Sequence, residues 1–320
     1  MELTKTDLQP ATGMVNNILN EVNKVVIGKK DIIMKVLLAI IAGGHILIDD
    51  IPGVGKTTMA LAFSKTLGLK HNRMQFTPDV LPTDIVGFSV YNQSTGKFEY
   101  KTGVAVCNLF LADEINRTSS KTQSALLEIM EEKRITADGK TYDLPDPYIV
   151  IATQNPVGSI GTQMLPESQL DRFMIRLSMG YPSHEAEIGI LKNKSADGID
   201  NLSQTASAKD IISLRKIVES IYVDERIYDY MVRLASATRK HPMVKLGLSP
   251  RGTISLCAMS KAVALIHGRN YVIPDDIKMI FSDVVTHRLV PESKAKLSGM
   301  TADKISDEIL RNVPLPSLQK

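Results

Sequence analysis

The chain has 320 residues, a length that favours two domains over one compact core. Its residues are 43% hydrophobic and 23% charged, which is typical of a globular protein. Its formal net charge of +3 is small and evenly spread, so electrostatics give no support to a nucleic-acid partner. No apolar run approaches the ~18 residues that cross a bilayer, and the start of the chain lacks the apolar core of a secretory signal, so we expect a cytoplasmic protein without a transmembrane segment.

The first half of the chain alternates helical and strand patterns, which is typical of a three-layer α/β domain with a mainly parallel sheet. A helix after the first strand places Ala60, Phe63 and Leu67 on one stripe and ends at Gly68. A β-hairpin is predicted over residues 134–142, because its central Asp-Gly pair supplies the positive φ angles of a tight turn. Five strands are predicted, at residues 45–49, 74–77, 109–113, 148–153 and 174–177.

After Pro182 the pattern becomes helical, with little strand signal. Helix starts are indicated at Asp224, Ser249 and Pro274 by capping side chains or by proline in the first turn. The polar stretch 193–207 is predicted to be a loop between the first helices of this half. We therefore expect an α/β core at residues 1–182 and a helical domain at residues 183–320.

A glycine-rich loop follows the first predicted strand and opens a helix, which is the context of a phosphate-binding loop. Gly53 and Gly55 let backbone N–H groups approach phosphate oxygens, and the helix N-terminus adds a favourable partial charge. Lys56 is placed to reach the β- and γ-phosphates, and Thr57 to offer its hydroxyl oxygen to Mg²⁺. The general pattern begins with glycine, whereas this loop begins with an aspartate. Its full sequence is Asp50-Ile51-Pro52-Gly53-Val54-Gly55-Lys56-Thr57.

Two adjacent carboxylates, Asp113 and Glu114, end the third predicted strand. Asp113 is predicted to hold Mg²⁺ through its waters, and Glu114 to orient and polarise an attacking water. A pair of acids at a strand end is also typical of a solvated loop. The phosphate loop upstream favours the interpretation as a hydrolytic site.

Three further polar residues are candidates for the same site. Asn155 follows the fourth predicted strand, where ligand crevices form in open α/β sheets, and its amide can hydrogen-bond the water or the γ-phosphate. Arg172 directly precedes the fifth strand. Arg251 lies in the first turn of a helix, where a cation opposes the helix dipole and indicates an anionic partner. The alternatives are an ordinary turn at Asn155 and surface ion pairs for the arginines.

The remaining metal-binding residue types show no pattern. Cys107 and Cys257 are far apart in apolar surroundings and are predicted to be buried thiols. The six histidines lack ligand spacing, so no structural metal is expected.

Together these segments resemble the AAA+ superfamily and, within it, the MoxR family, over residues 26–289. An aspartate at the position of Asp50 is usual in that family. The resemblance rests on GGHILIDDIPGVGKT at 43–57, RMQFTPD at 73–79, LADEINR at 111–117, ATQNP at 152–156 and LPESQLDRF at 165–173.

The resemblance implies a P-loop NTPase core with a parallel five-stranded sheet, followed by a helical lid. Thr57 and Asp113 would serve the metal, Asp113 with Glu114 would be Walker B, and Asn155 would be sensor 1. Arg172 would be an arginine finger that acts on a neighbouring subunit's ATP. Residues 76–86 correspond to the insert in helix 2, and residues 133–144 to the hairpin before sensor 1. Arg251 would be the sensor 2 arginine, and the expected ATP contacts are Val26, Ile27, Gly28, Pro52, Gly53, Val54, Gly55, Lys56, Thr57, Thr58 and Arg251.

The function implied by the resemblance is Mg²⁺-dependent ATP hydrolysis by a hexameric ring, coupled to chaperone-like maturation or activation of a client protein. A partner that carries a von Willebrand factor A domain is often involved. A finger supplied in trans requires an oligomer, and a head-to-tail interface closes into a ring when the rotation permits. Two other functions stay open: a nucleotide-gated scaffold with little turnover, and a nucleic-acid motor, since related AAA+ proteins include helicases. The low charge and the lack of aromatic stacking motifs weigh against the motor.

Overall fold

The computed structural model describes residues 5–49, 53–155, 165–192 and 198–316. Its strands are β1 (Ile46–Asp49), β2 (His71–Gln75), β3 (Gly87–Asn92), β4 (Lys97–Thr102), β5 (Leu109–Asp113), β6 (Arg134–Ala137), β7 (Lys140–Asp143), β8 (Ile149–Gln154), β9 (Ile175–Leu177), β10 (Val244–Leu246) and β11 (Val290–Pro291). Its helices are α1 (Lys5–Asn23), α2 (Lys30–Ile41), α3 (Lys56–Thr66), α4 (Pro82–Val86), α5 (Ser120–Glu132), α6 (Glu167–Leu170), α7 (His184–Lys192), α8 (Ala208–Ser220), α9 (Glu225–Lys240), α10 (Pro250–Ile266), α11 (Pro274–Val285), α12 (Ser293–Leu297) and α13 (Ala302–Asn312).

The central sheet has five parallel strands in the order β2-β5-β8-β1-β9, which confirms the predicted fold class. The second strand lies a few residues earlier than predicted, at His71–Gln75 instead of 74–77. Because all five strands run in one direction, their carboxyl ends lie along one side of the sheet. We call this side the carboxyl edge and the opposite side the amino edge.

Two hydrophobic clusters cover the two faces of the sheet. Ile46 and Ile48 belong to one cluster and Leu47 to the other, because successive side chains of a strand point to opposite faces. The first cluster continues into the helical domain, where it includes Tyr230 and Phe281. The sheet and the helical domain therefore share one continuous core on this face.

The helical second half begins its helices where the capping residues predict. The side chain of Asp224 accepts a hydrogen bond from the N–H of Arg226, and that of Ser249 accepts one from Gly252. The helix α10 is followed by Gly268, whose φ of 66° is the left-handed conformation that ends helices. The structure adds a small antiparallel pair, β10 with β11, that the sequence pattern did not indicate.

Two antiparallel hairpins project from the core. The predicted hairpin is confirmed as β6 and β7, with Asp138 and Gly139 at φ angles of 51° and 75°. The other hairpin, β3 with β4, was not predicted. It directly follows the segment 76–86, which contains α4. Cys107 is buried as predicted, whereas Cys257 is only half-buried, and both are free thiols.

The histidine at the amino edge, His45, ties the end of α5 to the sheet. Its Nδ1 accepts a hydrogen bond from the N–H of Val150 at 3.0 Å, and its Nε2 lies 3.0 Å from the carbonyl oxygen of Met130. Burial lowers the pKa of His45 from 6.5 to about 4. Burial also lowers the pKa of His287, so this histidine should change the stability with pH in the same direction as His45.

The fold should therefore lose stability when the solution is acidified. Below about pH 6.5, His45 takes up a proton in the unfolded chain but stays neutral in the folded protein. The stability therefore falls until the pH reaches the pKa of folded His45. His45 alone should lower the free energy of unfolding by about 2 kcal/mol between about pH 7 and about pH 5. Urea unfolding at the two pH values measures this difference. It should shrink in His45→Gln and persist in the control His267→Gln, which changes an exposed histidine. An equal pH dependence in both variants would contradict the role of His45.

Candidate functional site

The predicted phosphate loop joins β1 to α3 at the carboxyl edge of the sheet. Gly53 and Gly55 have φ angles of 84° and 95°, in the left-handed region that favours glycine. Among the described residues, a Cβ atom built on Gly53 would meet nothing within 4 Å. Of the predicted loop residues, Asp50, Ile51 and Pro52 lie outside the described part of the chain.

The helix α3 begins at Lys56, directly after the left-handed glycine. The side chain of Lys56 is buried, and its charge helps to lower the pKa of Glu114. Thr57 and Thr58, in the same first helical turn, are half-buried. The lysine of the predicted loop and the predicted catalytic acid therefore lie close enough to interact.

The two acids are held by a threonine on the neighbouring strand. Thr153 of β8 donates a hydrogen bond from its hydroxyl to Asp113 at 3.2 Å, and the N–H of Glu114 donates one to the same hydroxyl at 2.9 Å. The second oxygen of Asp113 accepts a hydrogen bond from Nε of Arg73 at 2.7 Å. Neither Thr153 nor Arg73 was predicted as a site residue from the sequence.

Glu114 has a backbone conformation that is rare for a residue with a side chain. Its φ of 57° and ψ of 48° lie in the left-handed region, which is uncommon outside glycine, and such conformations often occur at functional sites. Partial burial favours a higher pKa for Glu114. The hydrogen bonds from Arg117 and Asn155 and the charges of Arg117 and Lys56 outweigh that effect, so the pKa lies below its ordinary value. The side chain is therefore an ionised acceptor at neutral pH.

Asn155 follows β8 and is held by a pair of backbone hydrogen bonds. Its N–H donates to Oδ1 of Asn116 at 3.3 Å, and its carbonyl oxygen accepts from Nδ2 of Asn116 at 3.1 Å. The side chain of Asn155 hydrogen-bonds Glu114. Its Oδ1 is buried and finds no hydrogen-bond partner among the described residues. A buried acceptor of this kind is satisfied when a bound water or ligand donates to it.

The two candidate arginines meet at one carboxylate on α5. Nη2 of Arg172 lies 3.1 Å from Oε2 of Glu131, and Nη2 of Arg251 hydrogen-bonds the other oxygen of the same side chain. Nε of Arg172 is buried, and within the described ranges it has no hydrogen-bond partner. The structure thus brings together two arginines for which the resemblance implies separate roles, as arginine finger and as sensor 2.

The place where the arginines meet is at the amino edge of the sheet. Glu131 follows Met130, whose carbonyl oxygen contacts His45 just before β1, and Arg172 lies shortly before β9. The acids and the phosphate loop are at the opposite, carboxyl edge. Arg251, which was expected to reach the phosphates from the lid, thus lies on the same side of the molecule as Arg172.

An ion pair between the buried Arg288 and the half-buried Asp171 lies next to both arginines, between the core and the helical domain. Nε of Arg288 donates to Oδ1 of Asp171 at 2.8 Å, and the hydroxyl of Ser249 donates to Asp171 at 2.9 Å. Asp171 directly precedes Arg172, and Ser249 caps the helix whose second residue is Arg251. This contact between distant parts of the chain was not predicted from the sequence.

The segment predicted to line the adenine packs against the first helix of the lid. Gly28, at a φ of 76°, approaches α7 so closely that a Cβ atom on it would lie 2.4 Å from Cβ of Ala186. The amine of Lys29 donates to the carbonyl oxygens of Gly180 and Tyr181 at 3.0 and 2.9 Å and also to that of Met179. Val26 is buried, and Ile27 is half-buried against α7. The segment is thereby fixed to the junction between the core and the lid.

Comparison with known proteins agrees with this geometry. The family described as "ATPase family associated with various cellular activities (AAA)" matches residues 45–175, and the AAA lid domain matches residues 236–309. Chaperone MoxR1 of Mycobacterium tuberculosis is 36% identical over 307 residues, which are 93% of this chain and 81% of that protein. The chain belongs to the MoxR family of AAA+ ATPases.

Two further proteins match over nearly the full length of this chain. The uncharacterized protein YeaC of Bacillus subtilis is 46% identical over 97% of this chain and 96% of its own length. A crystal structure from Cytophaga hutchinsonii, described as that of a candidate ATPase, superposes with a TM-score of 0.91 at 36% identity and covers 97% of both chains. The predicted fold and the assignment as an ATPase are thus confirmed. In the described residues, no helix is long and apolar enough to cross a membrane.

Proposed function

We propose that this MoxR-family ATPase assembles into a ring and hydrolyses ATP in a Mg²⁺-dependent reaction. Hydrolysis would be coupled to the remodelling or maturation of a client protein. The observation that carries the proposal is the cluster at the carboxyl edge. Asp113 and Glu114, at the end of β5, both hydrogen-bond Thr153. Thr153 belongs to β8, the strand that Asn155 follows, and the cluster lies beside the start of α3. Carboxylates, an amide and a buried lysine at a glycine loop form the set that ATP hydrolysis needs.

In this proposal the phosphates lie on the loop that precedes α3. Lys56 neutralises phosphate charge, and Val54 and Thr58 contribute to the same loop and helical turn. Thr57 and Asp113 would hold Mg²⁺, and their oxygen atoms suit this hard cation, which usually takes few protein ligands and completes its shell with phosphate and water. When bound, the metal supplies charge stabilisation at the transferring phosphoryl group. The adenine would lie beside Val26, Ile27 and Gly28, with Pro52 in the loop.

Glu114 and Asn155 then prepare the attacking water. The ionised carboxylate of Glu114 accepts a hydrogen bond from the water, and the unpaired Oδ1 of Asn155 accepts another. Two acceptors at fixed positions orient the oxygen lone pair toward the γ-phosphate. The backbone N–H groups of Glu114 and Asn155 donate hydrogen bonds to Thr153 and Asn116, and these bonds support the arrangement because they hold the backbone of both residues.

The arginines complete a neighbouring site, not their own. Arg172 and Arg251 pair with Glu131 at the amino edge, whereas the phosphate loop of the same chain is at the carboxyl edge. A strand rises about 3.3 Å per residue, so a side chain at one edge does not span the sheet to reach the other. We propose that both arginines act in trans, and that Glu131 holds them until a neighbour's ATP replaces it. A head-to-tail interface of this kind closes into a ring, which we propose to be a hexamer.

Replacement of Lys56 by alanine tests the binding site. The variant removes the lysine cation of the phosphate loop, so the affinity for ATP should fall by more than about tenfold, which is at least ~1.4 kcal/mol. Titration calorimetry with a non-hydrolysable ATP analogue measures the loss. Lys65→Ala is the matched control, because Lys65 lies on the same helix but pairs with Asp200 on the surface. Near wild-type affinity in Lys56→Ala would show that the nucleotide binds elsewhere.

The client side of the proposal follows from the family. A protein client, with a partner that carries a von Willebrand factor A domain, would respond to the hinge between the core and the lid. Lys29 links the proposed adenine segment to this hinge through three carbonyl groups. A change at the nucleotide would therefore be transmitted to α7 and to the lid. Cytoplasmic location is part of the same proposal.

A further inference from the structure

An apolar groove lies between α9 and α10 at the amino edge of the molecule. We call it the α9–α10 groove; it has a volume of about 510 Å³. Its walls carry apolar side chains that are unusually exposed, with Ile254 70% and Val232 55% accessible. Lys133, Lys261 and Arg215 line it as cations and Glu219 as an anion, and Asp146 pairs with Arg215, so the net charge around the groove is slightly positive. Exposed apolar side chains in a concave surface indicate a binding site for another protein surface.

The groove adjoins the proposed arginine face. Lys133, in its wall, lies two residues after Glu131, which holds both arginines. Ile254 lies three residues after Arg251 on α10, and residues with this spacing share one face of a helix. A neighbour that receives Arg251 at its ATP therefore also meets the groove.

The helix α7 has an outer face that lacks a partner within the described chain. Its inner face uses small residues, since Ala186 packs on Gly28, and Gly189 faces Ile27. The opposite face presents Ile188 and Leu191, which are 38% and 61% exposed. Glu187 also lies on this face and is exposed. We define the outer face of α7 as His184, Glu187, Ile188 and Leu191, which follow the spacing of one helical stripe.

We propose that the outer face of α7 in one subunit docks into the α9–α10 groove of the next. The occupant is a second copy of this chain, and the inference rests on the proposed ring. Two features support it: apolar side chains on α7 match an apolar groove, and an acidic Glu187 faces a groove with net positive charge. The positions of the two surfaces also match. The helix α7 packs on the proposed adenine segment of one subunit, and the groove lies beside the arginines that would reach that subunit's ATP.

The docking would give the nucleotide site a second contact with its neighbour. Arginines from the next subunit would approach the phosphates, while the groove of that same subunit would hold the helix beside the adenine. Gly28 and Lys29 fix α7 to the proposed adenine segment. A nucleotide that shifts this segment on binding would therefore also move the docked helix. Assembly and ATP binding would then strengthen each other.

An aspartate in the groove tests the docking. Ile254→Asp places a charge in the apolar contact, so the association constant between subunits should fall by more than about tenfold. Sedimentation velocity in ATP measures it, with both proteins carrying Glu114→Gln to prevent turnover. Leu297→Asp is the matched control, because Leu297 is 90% exposed on α12 and outside the groove. Titration of ATP into dilute Ile254→Asp subunits should show retained binding.

Exchange of charge identifies the occupant. Glu187→Lys and Lys261→Glu should each weaken assembly, because each places two like charges against each other across the proposed contact. The double variant should recover most of the assembly, because residues 187 and 261 again carry opposite charges. Single defects without recovery would overturn α7 as the occupant. Normal assembly of Ile254→Asp would overturn the groove while leaving the ring intact. A wild-type protein that stays monomeric in ATP would overturn both the ring and the docking, whereas the Lys56→Ala binding result would still stand.

Discussion

Glu114→Gln should bind ATP with near wild-type affinity and hydrolyse it ~10²-fold or more slowly. Glutamine keeps the size of the side chain but removes the charge that polarises the attacking water, and general-base assistance is typically worth ~10²- to 10⁴-fold. Binding should survive because, in the proposed mechanism, Glu114 contacts the attacking water and not the phosphates. Steady-state phosphate release and calorimetric titration measure the two quantities separately. Glu225→Gln, a change of an exposed acid at the start of α9, is the control.

The variant also separates turnover from client binding. If Glu114 merely balanced the charge of Arg117, turnover would stay within a few-fold of wild type, and another base would have to be sought. If the assignment is correct, Glu114→Gln held in ATP should retain a client that the wild-type protein releases. Lys56→Ala, which cannot enter the ATP state, should retain none. Equal retention by both variants would contradict nucleotide control of the client.

The parts of the site that depend on local sequence were predictable. A strand followed by glycines and Lys56, or a strand that ends in Asp113 and Glu114, has a short-range pattern that determines both the element and the position of the side chain. The edges of a parallel sheet then bring such segments together without further information. The glycines at φ angles of 84° and 95° agree with this prediction.

The parts that depend on contacts between distant residues were not predictable. Thr153 holds both acids only because β5 and β8 are neighbours, which the chain order does not reveal. The position of Arg251 depends on how the helical domain packs, and the ion pair of Arg288 with Asp171 contributes to that packing. A single sequence contains no periodic signal for an ion pair between residues so far apart.

The unpredicted hairpin of β3 and β4 has a different cause. Most of its side chains are exposed, including Phe88 and Phe98. Phe98 and Tyr100 alternate with charged residues in β4, but in β3 the adjacent Val90 and Tyr91 break the alternation, so only one of the two strands carries the pattern that marks a strand. Its turn, at residues 93–96, also lacks the Asn-Gly or Asp-Gly pair that revealed the other hairpin.

Mixtures of inactive subunits should recover ATP hydrolysis if the arginines act in trans. Arg172→Ala alone should lose ~10³-fold or more in turnover, because an arginine finger that stabilises charge on the transferring phosphoryl group is worth that much. Lys56→Ala subunits are impaired in ATP binding but present both arginines. Mixed with Arg172→Ala, or with Arg251→Ala, they should restore activity. The activity should be proportional to the number of interfaces in which an intact ATP site faces a neighbour that carries both arginines.

Two further mixtures act as controls and settle the role of Arg251. Lys56→Ala with Glu114→Gln should stay inactive, because every site then carries its own defect. Arg172→Ala with Arg251→Ala should also stay inactive if both arginines serve the neighbour, since no subunit presents both. If Arg251 instead served its own ATP, this last mixture would regain activity and the mixture of Lys56→Ala with Arg251→Ala would not. Steady-state turnover across mixing ratios, with subunit exchange confirmed by fluorescence transfer, distinguishes the two. A mixture of Lys56→Ala and Arg172→Ala that never exceeds the sum of its parents would remove the basis for the ring, because the finger would then not act between subunits.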